Sequence, residues 1–207
     1  MPILNLAALA ATPLQRDPFD FLIVPAFIET EALDRINRDF PPMKGPGNFP
    51  LEELHYGPGF QSLLDELQGP EFAQQITTKF NVDLTDCPTM ITVRGFCEPS
   101  DGDIHTDSKT KIITVLVYLN TDWSHEGGKL RLLRSATDLE DYAADVPPVG
   151  GTLLAFRRSD NSFHGHKPFE GERRIIQLSW VKPKRVSNYT QKDRSIAKRI
   201  KRWFKAA

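Results

Sequence analysis

From Met90 onward the chain changes period. Before that point apolar residues recur three and four apart. After it they fall into short β-rich runs: Met90 to Phe96, Lys111 to Leu119, Lys129 to Leu133, Thr152 to Phe156 and Arg174 to Val181. Turn chemistry separates them at Ser100-Asp101-Gly102, Gly127-Gly128, Pro147-Pro148, Gly150-Gly151 and Gly171. Short strands after a helical start restrict the fold to an α+β class, mainly β. The expected form is an antiparallel sandwich or barrel with helices on one face.

The first part supplies the helices. Phe19 to Val24 is β-rich and ends at Pro25. Thr30 is placed to cap a helix beginning at Glu31, with Leu33, Ile36 and Phe40 at helical spacing and Pro41-Pro42 as its stop. A loop rich in Gly and Pro follows, Pro41 to Pro50. Gly59 to Leu67 and Glu71 to Phe80 read as two further helices, divided by Gly69-Pro70. Their apolar faces suit packing against a sheet, and they carry no evident chemistry.

Chemistry enters at Asp103-Ile104-His105-Thr106-Asp107 and again at Phe163-His164-Gly165-His166. In an extended segment residues i and i+2 share a face, so His105 and Asp107 reach one point. A second imidazole would complete a two-histidine, one-carboxylate set of the kind that leaves positions open on non-haem iron. His-X-Asp alone is a weak motif, and its companions give it weight.

Composition bounds the rest. The chain has 207 residues, is 40% hydrophobic and 26% charged, and so suits one soluble globular domain. Cys87 and Cys97 make no disulfide framework and suit a reducing compartment. The segment Met1 to Thr12 is apolar without a basic start, which reads as a capping strand or helix and not a signal peptide. A cytoplasmic location is the expectation. Residues 182–207 carry ten basic and one acidic side chain, whereas the remaining 181 residues carry 16 basic and 26 acidic. In the tail Ile196, Ile200, Trp203 and Phe204 line one side of a basic amphipathic helix. Two readings stand for it: packing on the protein itself or a second copy, or contact with an anionic membrane or acidic partner. No nucleic-acid motif accompanies the charge, and oligomeric state is left open.

In order, the chain carries His105-Thr106-Asp107, Tyr118-Leu119-Asn120, Gly127-Gly128-Lys129-Leu130, Gly151-Thr152-Leu153, His164 with Pro168, and Arg174 after Gly171. This succession resembles the Fe(II)/2-oxoglutarate-dependent oxygenase superfamily, in its prolyl 4-hydroxylase-like branch. The resemblance implies a double-stranded β-helix, a jelly-roll or cupin-like barrel. It implies one oxygenase domain over residues 1–184, with a strand–helix support at 17–87 and a jelly-roll core at 88–184, followed by the helix at 185–207. It implies that His105, Asp107 and His164 hold Fe(II). It also implies 2-oxoglutarate and O2 as cosubstrates, with L-ascorbate a candidate reductant. The implied reaction is hydroxylation of a peptide or small-molecule C–H, with release of succinate and CO2.

The proline spacing selects His164 as the ligand over His166, which is then a neighbour in the pocket. Tyr118 matches a position that helps hold 2-oxoglutarate, and a core aromatic is the equal alternative. Arg174 would hold the distal carboxylate. Strand parity supports that assignment: Arg174, Ile176, Leu178 and Trp180 form the apolar face, read as lining the interior, where a guanidinium must meet an anion. Arg173 is the alternative anchor, and solvent exposure of both is the third possibility. Relatives place a tyrosine near Phe96-Cys97-Glu98-Pro99, a departure here. Rival readings are a catalytically inactive jelly-roll module that binds metal or ligand, and a zinc hydrolase built on the same ligands.

Overall fold

The computed structural model describes residues 2–43 and 45–183. The expected basic helix at 185–207 lies outside the described residues. Helix α1 (Leu6–Ala11) leads to strand β1 (Phe21–Val24) and helix α2 (Thr30–Arg38). A two-residue strand β2 (Phe49–Pro50) precedes helices α3 (Pro58–Leu67) and α4 (Pro70–Phe80). Then come β3 (Thr89–Cys97), β4 (Lys111–Tyr118), β5 (Leu130–Leu133), β6 (Tyr142–Val146), β7 (Leu153–Arg157), β8 (His164–Gly165) and β9 (Gly171–Val181).

The helices begin and end where backbone chemistry allows. Pro58 and Pro70 occupy first-turn positions, where no intrahelical N–H bond is lost. Asn81 closes α4 in the left-handed conformation, with its N–H on the Thr77 carbonyl. Thr30 lies inside α2, and Glu29 stands at the N-cap without a side-chain bond, so the expected threonine cap does not form. Phe60, Leu63, Leu64 and Leu67 of α3 are buried, as are Phe72, Ile76 and Phe80 of α4. Each such side chain contributes about 1.5–3 kcal/mol on burial. Among the described residues no helix is long and apolar enough to cross a membrane.

The strands form two antiparallel sheets. The larger runs β1-β7-β4-β9-β3-β2, and the smaller runs β6-β5-β8. Two sheets, and not one closed ring of strands, stand where the barrel was expected. All five runs expected as strands are strands. Those five runs do not include β6, which begins at Tyr142 within an acidic stretch. Ala144 and Val146, two apart, pair opposite Leu132 and Leu130 and pack in the apolar cluster between the sheets. The acidic neighbours masked that alternation.

The six-stranded sheet has two different faces. On one, Val115, Val117, Ile176, Leu178 and Trp180 join the helices in the main core, with Phe72 and Trp180 ring centroids 5.9 Å apart. On the other, Phe21, Leu116, Tyr118, Leu154, Phe156 and Ile175 meet Leu130, Leu132 and Val146 of the small sheet. The registers Thr114↔Ser179, Leu116↔Gln177 and Tyr118↔Ile175 put the odd residues of β9 on this second, inter-sheet face.

Candidate metal centre

The segment carrying His105 lies along the free side of β8. His105 and His164 exchange both backbone hydrogen bonds at 3.0 Å, extending the small sheet by one bridge. Their rings approach to 4.4 Å between centroids. Asp107, two residues on, reaches the same point. Ligand atoms of His105, Asp107 and His164 lie within 4.8 Å of one another. That spacing groups two imidazoles and one carboxylate closely enough to be candidates for holding one ion.

Electrostatics favours that use. The Nδ1 of His105 lies 2.7 Å from the Asp103 carbonyl and that of His164 3.0 Å from the Ser162 carbonyl. Donation of Nδ1–H to those carbonyls leaves each Nε2 with a free lone pair. Burial, seconded by His105, pushes His164 down to about 4, so it is neutral near pH 7. Burial also tends to raise the Asp107 carboxyl. Lys111, His164 and Thr114 outweigh it and hold the group below the ordinary carboxylate range, as an anion. Lys111 Nζ donates to Asp107 Oδ1 at 2.7 Å, and Thr114 Oγ1 donates to Oδ2 at 2.6 Å. Arg158 Nε donates to the Asp107 backbone oxygen at 3.2 Å.

The two arginines of β9 part company. Arg173 is 4% exposed and lies on the inter-sheet face. Its Nε donates to the Gly128 carbonyl at 2.8 Å, and its guanidinium carbon is 5.8 Å from the Tyr118 ring centre. Among the described residues, Arg173 Nη2 and Tyr118 Oη are buried with no hydrogen-bond partner. Burial pushes the Tyr118 phenol up to about 12, against the pull of Arg173. Arg174 points the other way. It donates to the Asn37 carbonyl at 3.3 Å, pairs with Glu172 and lies 4.9 Å over Phe40, beside α2. The expectation that the even face of β9 lines the interior is therefore corrected. That face is apolar because helices cover it, not because it faces the site.

His166 is buried beside this pocket, with Nδ1 2.8 Å from the Lys167 carbonyl, and it lies outside the metal-spaced group. Burial, then Arg173, lowers it to about 4. His125 is exposed and stacks with Trp123 and Phe169. His55 borders a shallow cleft with Arg38, Phe40 and Tyr56. Sequence reading passed over Thr114 and Ser179, whose hydroxyls lie 3.4 Å apart behind Asp107. For Ser179 the signal was the polar pair Gln177 and Ser179, two apart on the strand face that also carries Arg173.

Residues 96–182 match the family model of the 2OG-Fe(II) oxygenase superfamily. That region, somewhat under half of the chain, is similar to the 2OG-Fe(II) oxygenase superfamily. The fold agrees. A prolyl-4-hydroxylase from Pseudomonas putida is 16% identical, with 86% of this chain and 93% of that one covered at a TM-score of 0.54. The viral collagen prolyl hydroxylase of Paramecium Bursaria Chlorella virus-1 is 15% identical, with 83% and 94% covered at 0.54. A 2OG-Fe(II) oxygenase family oxidoreductase from Burkholderia pseudomallei is 14% identical, with 86% and 91% covered at 0.53. At such identities the likeness speaks to the jelly-roll fold. No curated protein matches the chain in sequence.

The family that residues 96–182 match implies Fe(II), 2-oxoglutarate and O2, and the residues present suit them. Two imidazole lone pairs and one carboxylate make a donor set apt for iron. The orphaned Arg173 Nη2 and Tyr118 Oη make a buried pair of donors apt for a carboxylate.

Proposed function

We propose that this chain is an Fe(II)- and 2-oxoglutarate-dependent dioxygenase. It hydroxylates an unactivated C–H bond of a peptide or small-molecule substrate and releases succinate and CO2. The observation that carries this reading is the convergence of His105, Asp107 and His164 on the face that also buries Arg173 and Tyr118. His105, Asp107 and His164 would hold the iron. When bound, iron with 2-oxoglutarate supplies the oxidising power for C–H hydroxylation.

The chain's own residues bind and orient. Burying a guanidinium without an anion is costly, and Arg173 has no carboxylate in salt-bridge range among the described residues. The distal carboxylate of 2-oxoglutarate supplies that anion, with Tyr118 Oη as second donor. Gly128, by accepting from Arg173 Nε, aims the guanidinium fork. Leu116, Leu132, Leu154 and Phe156 wall the neighbouring interior and keep water from it. A cytoplasmic location fits the unpaired cysteines Cys87 and Cys97.

Iron stoichiometry tests the ligand set. Wild-type protein should bind one Fe(II) per chain anaerobically, and His105→Ala, Asp107→Ala and His164→Ala should each lose it while keeping the wild-type circular dichroism. Wild-type iron retention in Asp107→Ala and His164→Ala would refute the assignment.

A further inference from the structure

Lys111 is the feature that this reading does not use. Its side chain is 9% exposed, and that of its partner Asp107 is 10% exposed. Lysine is rarely buried unless paired, and here its only ion pair among the described residues is with Asp107. The carboxylate therefore serves two cations, the ammonium 2.7 Å from Oδ1 and the metal it would ligate. Arg158, the other cation touching this segment, binds the Asp107 backbone and is itself paired with Asp160 at 2.7 Å. Its charge is met elsewhere, and that of Lys111 is not.

Resting on the function proposed above, we infer that Lys111 couples metal binding to binding of the dianionic cosubstrate. Imidazoles that ligate a metal do so uncharged, so the one carboxylate of the set and the one ammonium beside it are opposite in sign and equal in number. A bare dication entering that site is attracted by the carboxylate and repelled by the ammonium paired with it, so its attraction is weaker than for an unpaired carboxylate. The same ammonium attracts a dianion that chelates the metal. Lys111 thus weakens the metal alone and strengthens the metal with 2-oxoglutarate. Thr114, donating to the other carboxylate oxygen, holds the Asp107 side chain in place whatever stands at position 111.

The test is calorimetric titration of Mn(II) into wild type, Lys111→Met, Lys111→Gln and Lys111→Arg, with and without saturating 2-oxoglutarate. Glutamine keeps an N–H donor on a shorter side chain and removes the charge, whereas methionine removes both. Met and Gln should bind bare Mn(II) about tenfold tighter or more than wild type, the size expected for removing a like charge from a partly buried site. Because coupling is reciprocal, the enhancement of Mn(II) affinity by 2-oxoglutarate should shrink by a similar factor. Arg should behave as wild type. Equal or weaker bare-metal binding in both neutral variants would overturn the inference and make Lys111 a structural partner of Asp107. If wild type binds Mn(II) with full coupling and the variants match it, only the role of Lys111 is lost. If wild type binds Mn(II) and 2-oxoglutarate changes nothing, the cosubstrate reading falls as well.

Discussion

Arg173 and Arg174 are neighbours in sequence and face opposite sides of one strand. Arg173 looks between the sheets beside Tyr118, and Arg174 looks toward Asn37 and Phe40 of the α2 region. Their substitutions should separate cleanly. Arg173→Ala should weaken 2-oxoglutarate binding by about 100-fold, the range for losing a charged partner of a buried group, with metal affinity little changed. Arg174→Ala should leave 2-oxoglutarate affinity within about twofold and cost at most about 1 kcal/mol of stability, because its ion pair is partly exposed. Titration of each variant with 2-oxoglutarate checks this, and a large loss in Arg174→Ala alone would reverse the assignment. The residue types of the metal site were legible in the sequence, because a same-face histidine and aspartate in an extended segment is a local pattern. The facing of Arg174 was not. Parity says which residues share a face, but not which face the helices cover. The apolar face of β9 was the covered one.

Among the elements, β8 decides whether the two halves of the site meet. It is only His164–Gly165, held by β5 on one side and by the bridge to His105 on the other. Gly165 permits that approach. A Cβ built there would lie 2.7 Å from the Gly102 oxygen and 3.3 Å from the Ile104 Cα, both backbone atoms of the segment carrying His105. Gly165→Ala should therefore cost about 1–3 kcal/mol by overpacking. It should also weaken Mn(II) binding by about tenfold or more as His105 is pushed from His164. Thermal unfolding and a metal titration read the two effects. Metal affinity unchanged from wild type would show that the site tolerates a wider gap. The long strands were readable because β-branched runs and turn residues are dense there. β2 and β8 were not, since two residues carry no period. β6 was missed because Asp138, Glu140, Asp141 and Asp145 surround its two inward positions.

At the scale of the molecule, the helical first part and the two sheets do separate jobs. The helices cover one face of the large sheet with Phe60, Phe72 and Phe80 and so free the other face for chemistry. That face grades from the apolar cluster around Phe21, Leu116 and Phe156 to the hydroxyls Thr114 and Ser179 behind Asp107. The α+β class was legible from the change of period at Met90, since a sheet of that size needs a cover on one side. Which strands pair within each of the two sheets was not, because strand pairing between distant segments leaves no local trace. Iron and 2-oxoglutarate bound together on this inter-sheet face are the central claim, and one spectrum tests both. Fe(II)-loaded protein titrated anaerobically with 2-oxoglutarate should develop the weak visible charge-transfer band of a chelated keto acid, and Asp107→Ala should not. A folded wild-type protein that holds Fe(II) and shows no band on saturation would contradict the account.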